Sequence, residues 1–119
     1  MSKMEQLKEL GIDTEYGLSC CGEEEDFYLE MIEEYVKEGT ERLEHLADCY
    51  SLGDWKNYSI HAHSLKSTSR MIGAMALGEQ AKDLELAAKH NEEDKIHTCH
   101  EKLMNQYRTL LSDLKGILS

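Results

Sequence analysis

Two histidines stand two residues apart in the stretch His61-Ala62-His63-Ser64-Leu65-Lys66-Ser67-Thr68, and Arg70 follows shortly after. A neutral imidazole keeps one nitrogen lone pair free to attack an electrophile, and an ordinary pKa of about 6.5 leaves most of it neutral at pH 7. Lys66, Ser67 and Arg70 follow His63 at i+3, i+4 and i+7, so on a helix all four share a face. No Asp or Glu occurs from Trp55 to Gly78, in a chain with 24 acidic residues among 119. A dianionic group arriving beside His63 would meet two cations and a hydroxyl, with no carboxylate of this segment to repel it. The chemistry this suits is phosphoryl acceptance and donation, with His63 the candidate nucleophile and Lys66 and Arg70 the cations that would face the phosphate. Magnesium and the leaving group would come from another protein. No cofactor is expected on this chain.

Helical phase separates the two histidines. Trp55, Tyr58, Ala62, Leu65, Ser69 and Ile72 recur at spacings of three and four, with Asp54 placed to cap the helix and Gly73 to stop it. At 100° per residue, His63 falls about 130° from the centre of that stripe and His61 about 70°. His63 is expected to be exposed, and His61 to lie at the stripe's edge in an orienting or packing role. Leu65 is expected to be a core anchor.

Three further stripes would position this helix. Tyr28, Ile32, Tyr35, Gly39, Leu43, Leu46 and Tyr50 mark a long helix that begins in the run Glu23-Glu24-Glu25-Asp26, where carboxylates suit the helix dipole. Gly22 and Gly53 bracket it, and Gly39 implies either a slight break or a close helix contact. Leu77, Ala81, Leu84 and Ala88 form a third stripe, with Asn91 as a turn residue. Ile96, His100, Leu103, Tyr107, Leu110, Leu114 and Ile117 form the last, after Glu92, Glu93 and Asp94 in its first turn. Short connections make sequential helices antiparallel neighbours, so the expected fold is all-α, an antiparallel up-down four-helix bundle over residues 23–119. Residues 1–22, with Met4, Leu7, Leu10, Ile12, Tyr16 and Leu18, are expected to give a short helix and an extended lid, within one domain spanning 1–119.

Composition excludes several function classes. With no proline and eight glycines, a turn-rich β architecture is disfavoured, and one chain of this length has no room for separate cofactor and substrate lobes. The net charge of −11 opposes nucleic acid and anionic membrane surfaces. The longest run without a strongly polar residue, Met71 to Gly78, falls far short of the ~20 residues of a membrane span, and the start lacks a signal peptide's apolar stretch. A soluble, cytoplasmic monomer is expected. Cys20, Cys21, Cys49 and Cys99 have no zinc or disulfide spacing and are expected as reduced thiols.

No histidine is preceded by glutamate at three residues, so the Glu-x-x-His pairs of a di-metal bundle are absent. His97 and His100 form an i, i+3 pair for which surface or seam packing is the expected role, and no functional metal is expected.

Ala62-His63-Ser64-Leu65-Lys66-Ser67-Thr68-Ser69, then Gly73-Ala74, Leu77 and Leu84-Glu85, resemble the signature of histidine-containing phosphotransfer (HPt) domains, A-H-x-L-K-G-S-S, G-A, L and L-E. Gly11-Ile12-Asp13, Gly17-Leu18 and Glu25-Asp26-Phe27-Tyr28-Leu29 are similar to the N-terminal segment common in these domains, so the resemblance spans nearly the whole chain. It implies a helical bundle whose His63 accepts phosphoryl from, and returns it to, receiver-domain aspartates, with Lys66 beside the phosphate. The implied partners are response-regulator receiver domains or a hybrid histidine kinase, with magnesium held by the receiver. Ser64, Ser67 and Met71 are the docking residues this reading gives. The family commonly has glycine four residues after the histidine; Ser67 here bears on how closely a partner approaches.

Dimerising kinase helices also carry an exposed histidine, but their His-Glu-Leu-Arg-x-Pro continuation and a Gly-rich nucleotide loop are missing. Autophosphorylation from ATP is therefore not expected. The alternative from another class is a non-catalytic helical adaptor, in which His63 is incidental and Met71, Met75 and Leu18 make an apolar contact patch.

Overall fold

A computed structural model describes residues 1–119 and is all-helical. Its six helices are α1 (Lys3–Glu9), α2 (Thr14–Cys20), α3 (Glu25–Leu52), α4 (Trp55–Met71), α5 (Met75–Lys89) and α6 (Glu93–Leu118). Each of the four long helices packs against two others: α3 on α4 and α6, and α5 on α4 and α6. Helix α1 lies against α6 and α2, and α2 also touches α3 and α4.

The helix ends follow local chemistry. The side chains of Ser2, Asp13 and Asp54 accept from the backbone N–H of Glu5, Tyr16 and Asn57, the orphan donors of a helical first turn. Gly53 ends α3 at φ 67°, a left-handed conformation that costs glycine nothing. Gly73 at φ 91° ends α4, and a Cβ there would strike the Asp13 carbonyl. The α4–α5 turn and the start of α2 are thereby pressed together, and Asp13 N–H donates to the Gly73 carbonyl at 2.9 Å.

The expected stripes form one core. Tyr28, Ile32, Leu46, Tyr58, Leu65, Leu84, Ile96, Leu103, Tyr107 and Leu114 are essentially inaccessible, whereas Leu43, Tyr50, Leu110 and Ile117 are half-buried. Gly39 is a close contact and not a break: α3 runs through it, and a Cβ would collide with the Leu111 side chain of α6. Tyr28 Oη donates to the Ile72 carbonyl at 2.7 Å, and the Tyr35 and Ser69 hydroxyls lie 2.7 Å apart. Both tie α3 to α4, satisfying polar groups that would otherwise be buried unpaired.

The N-terminal segment departs from expectation. Residues 14–20 are helical and not an extended lid, because Asp13 caps them and Gly17 lets the backbone settle on the Tyr28 ring, which any Cβ would strike. Leu7 and Ile12 are buried, but Leu10 and Tyr16 are exposed. Helix α3 begins two residues into the acidic run, since Glu23 adopts φ 63° beyond Gly22. All four cysteines are unpaired, and no helix is long and apolar enough to cross a membrane.

Candidate functional site

Core packing fixes how α4 is rotated. Ala62 and Leu65 have no exposed surface, and Tyr58 Oη lies 2.8 Å from His100 Nδ1 on α6. With that face locked inward, the His63 side chain is 56% exposed while its neighbour Ala62 is fully enclosed. His61 points to the other flank, half-buried, with its ring centroid 4.7 Å from that of His45 on α3. Burial, then His45 and Arg42, push the His61 imidazole below its ordinary value. The helical phase of α4 thus exposes His63 and leaves His61 at the edge of the buried stripe.

His63 is not surrounded by cations alone. Glu85 of α5 lies beneath it, only 3% exposed, with Oε2 2.9 Å from His63 Nδ1. An ionised carboxylate can only accept, so Nδ1 carries the proton and Nε2 keeps its lone pair. Lys66 Nζ sits 2.8 Å from the other oxygen, Oε1, and Lys89 Nζ 2.9 Å from Oε2. The Lys66 contact lacks the direction of a hydrogen bond, so Oε1 is balanced by charge; at 2.8 Å the attraction needs no such direction. Burial alone would raise the Glu85 carboxyl, but Lys66, Lys89 and His63 outweigh it and bring it from 4.5 to about 2. Glu85 is therefore an anion across the working pH range.

The other named residues spread along α4. Arg70 is drawn away from His63: its Nη2 donates to Glu79 at 3.2 Å, and its stem lies over Gly78, where a Cβ would meet Cγ at 2.9 Å. Ser67 and Met71 are exposed and Ser64 is half-buried, all on α4. Thr68 Oγ1 is turned back to the Ser64 carbonyl at 2.9 Å. Met75 and Leu18 are half-buried, on α5 and α2.

The second histidine pair is structural in its contacts. His100 is buried and stacked on Tyr50, with centroids 3.8 Å apart at 3°, while His97 Nδ1 lies 2.8 Å from Tyr50 Oη. No group of three His, Cys, Asp or Glu side chains is arranged to hold a metal.

Glu85 and Lys89 are the site residues that sequence reasoning about α4 overlooked. Chain position hid them, since they arrive from the next helix. The available signal was an acid at the fourth residue after Ala81 and the third before Ala88, inside a core stripe where an unpaired carboxylate is rarely found.

The Hpt domain family model matches residues 30–117. The phosphorelay intermediate protein rdeA of Dictyostelium discoideum is 26% identical over 95 residues, an alignment covering 77% of this chain and 37% of that protein. The chain thus spans little more than a third of that relative's length. No solved structure matches.

Proposed function

The chain belongs to the Hpt domain family, and from that premise we propose that it is a phosphorelay intermediate that carries phosphoryl on His63 between receiver-domain aspartates. The observation that carries this reading is the Glu85–His63 contact at 2.9 Å, which leaves Nε2 as the outward lone pair.

The step balances without a group bound to this chain. The Nε2 lone pair attacks phosphorus of an aspartyl phosphate, the acyl P–O bond breaks, and its electrons return to the aspartate carboxylate. Neutral imidazole becomes an N-phosphorylated imidazolium whose Nδ1–H faces Glu85. That carboxylate stabilises positive charge as it develops, and it needs no reorganisation because Lys66 and packing already hold it. Reversal delivers phosphoryl to a second receiver. Lys66, only 18% exposed, is the held cation beside the phosphoryl, and magnesium belongs to the receiver. Arg70 is a more distant helper that would first have to leave Glu79.

The finer architecture goes with this reading: an antiparallel up-down four-helix bundle of α3 to α6, with α1 and α2 as the N-terminal cover, acting as one domain and as a monomer in the cytoplasm. Ser64, Ser67 and Met71 form the surface over which a receiver docks.

Purified protein mixed with phosphorylated receivers and magnesium should acquire acid-labile phosphate, and His63→Gln should not. Equal labelling of His63→Gln overturns the assignment. Receiver binding indifferent to His63→Gln, with no transfer by the parent, would establish the adaptor instead. ATP alone should leave the protein unlabelled.

A further inference from the structure

Lys89 Nζ and His63 Nδ1 both contact Glu85 Oε2 at 2.9 Å, which holds the ammonium and the imidazole within about 6 Å of one another. The two lysines of the cluster differ. Lys66 is 18% exposed and held on Oε1, whereas Lys89 is 54% exposed on a flexible four-carbon stem. Charge decides what the second lysine is for. With a neutral imidazole, two ammoniums against one carboxylate leave the resting cluster one positive charge in excess. A phosphoryl on Nε2 brings up to two negative charges and turns the ring into an imidazolium, so the phosphorylated cluster becomes neutral. Without Lys89 the same sum is neutral at rest and one negative charge in excess when phosphorylated.

We propose that Lys89 is the mobile counter-ion of the phosphorylated state: its ammonium leaves Glu85 Oε2 for a phosphoryl oxygen on His63 and stabilises the phosphohistidine. The proposal rests on the phosphotransfer reading and deepens it. Departure of Lys89 leaves Oε2 to the His63 Nδ1–H that it already accepts, so the carboxylate's charge faces the new imidazolium unshared while the ammonium faces the phosphoryl. Lys66 cannot make it, being packed between α4 and α5 against the other oxygen. Lys89 therefore sets how far the equilibrium lies toward phosphohistidine and how long that species survives.

The test uses the full chain and phosphoramidate, a small N–P donor that needs no partner. The Nε2 lone pair attacks its phosphorus, the P–N bond breaks and ammonia leaves. After removal of donor, the phosphohistidine lifetime of Lys89→Met should fall about three- to tenfold, and that of Lys89→Arg should stay near the parent. The share of phosphoryl retained against a receiver should fall by a similar factor. Helix content and thermal midpoint, measured alongside, report any purely structural loss, and the counter-ion role predicts that the lifetime falls in Lys89→Met while both stay at the parent's values. A Lys89→Met lifetime within twofold of the parent overturns the counter-ion role alone. A parent that takes no label on His63 from phosphoramidate or from phosphorylated receivers overturns the phosphotransfer reading, and this proposal with it.

Discussion

Glu85 Oε2 accepts the Nδ1 proton of His63 at 2.9 Å while being almost wholly withdrawn from solvent. A buried carboxylate that accepts from His63 and Lys89 on one oxygen and is ion-paired with Lys66 on the other holds the ring's tautomer as well as its orientation. The exposed part of the site is the nucleophile; the part that makes it one lies underneath.

Glu85→Gln tests that division. The amide keeps the shape and offers an acceptor oxygen, but it removes the charge that meets the developing imidazolium and loosens both lysines. Labelling of His63 by phosphoramidate should slow about tenfold or more, and Glu85→Ala should be slower still. Quantified phosphohistidine after timed quenching checks this. A Glu85→Gln rate equal to the parent would mean that the carboxylate serves packing only.

Acid should weaken the fold in two windows. Burial pushes His100 below its ordinary 6.5, and burial with His45 and Arg42 does the same to His61. Both take up protons less readily in the fold than in the unfolded chain, which protonates them around 6.5, so their contribution is complete above that pH and declines beneath it. Glu85 has the opposite charge type. Its carboxyl at about 2 against 4.5 contributes fully above 4.5, and that contribution, at most about 3 kcal/mol, is lost as pH falls toward 2. Urea midpoints at pH 8, 6, 5 and 3 should fall in both steps. His100→Phe should flatten the upper one and Glu85→Gln the lower; a parent midpoint constant from pH 8 to 3 contradicts both.

How much of this was legible in sequence depended on where each partner lay. The stripes of α3 to α6 were readable because each helix carries its own three-and-four spacing, and His63 with Lys66 was readable because both stand on α4. The helical state of residues 14–20 was not, since it depends on Gly17 meeting Tyr28, a contact no local pattern encodes. Gly39 was ambiguous for the same reason: its close neighbour is Leu111, seventy-odd residues away. Glu85 stands in the Leu84-Glu85 pair, yet the charges along α4 alone are wholly basic. The carboxylate that corrects it crosses from α5.

The rotation of α4 is itself testable. Leu65 has no exposed surface, and Leu65→Ala should cost ~2–5 kcal/mol, judged by urea unfolding. Gly39→Leu should cost ~1–3 kcal/mol by driving α3 from Leu111. The two should differ in function: only Leu65 lies on the reactive helix, so only its loss should slow phosphoramidate labelling of the folded protein. Equal slowing by both would mean that labelling tracks stability and not the placement of His63.

Ser67 separates docking from chemistry. It is exposed one turn beyond His63, where a receiver must come close but a small donor need not. Ser67→Gly removes a hydroxymethyl group at a helix cost of ~0.5–1 kcal/mol, whereas Ser67→Leu adds bulk at a good helical residue. Phosphoramidate labelling should be unchanged in both. Transfer from a phosphorylated receiver should fall at least tenfold in Ser67→Leu, through weaker binding, and hold or rise in Ser67→Gly. If the leucine variant instead lost small-donor labelling as well, Ser67 would belong to the reacting centre; if it kept full receiver transfer, the docking surface would lie elsewhere on the helix.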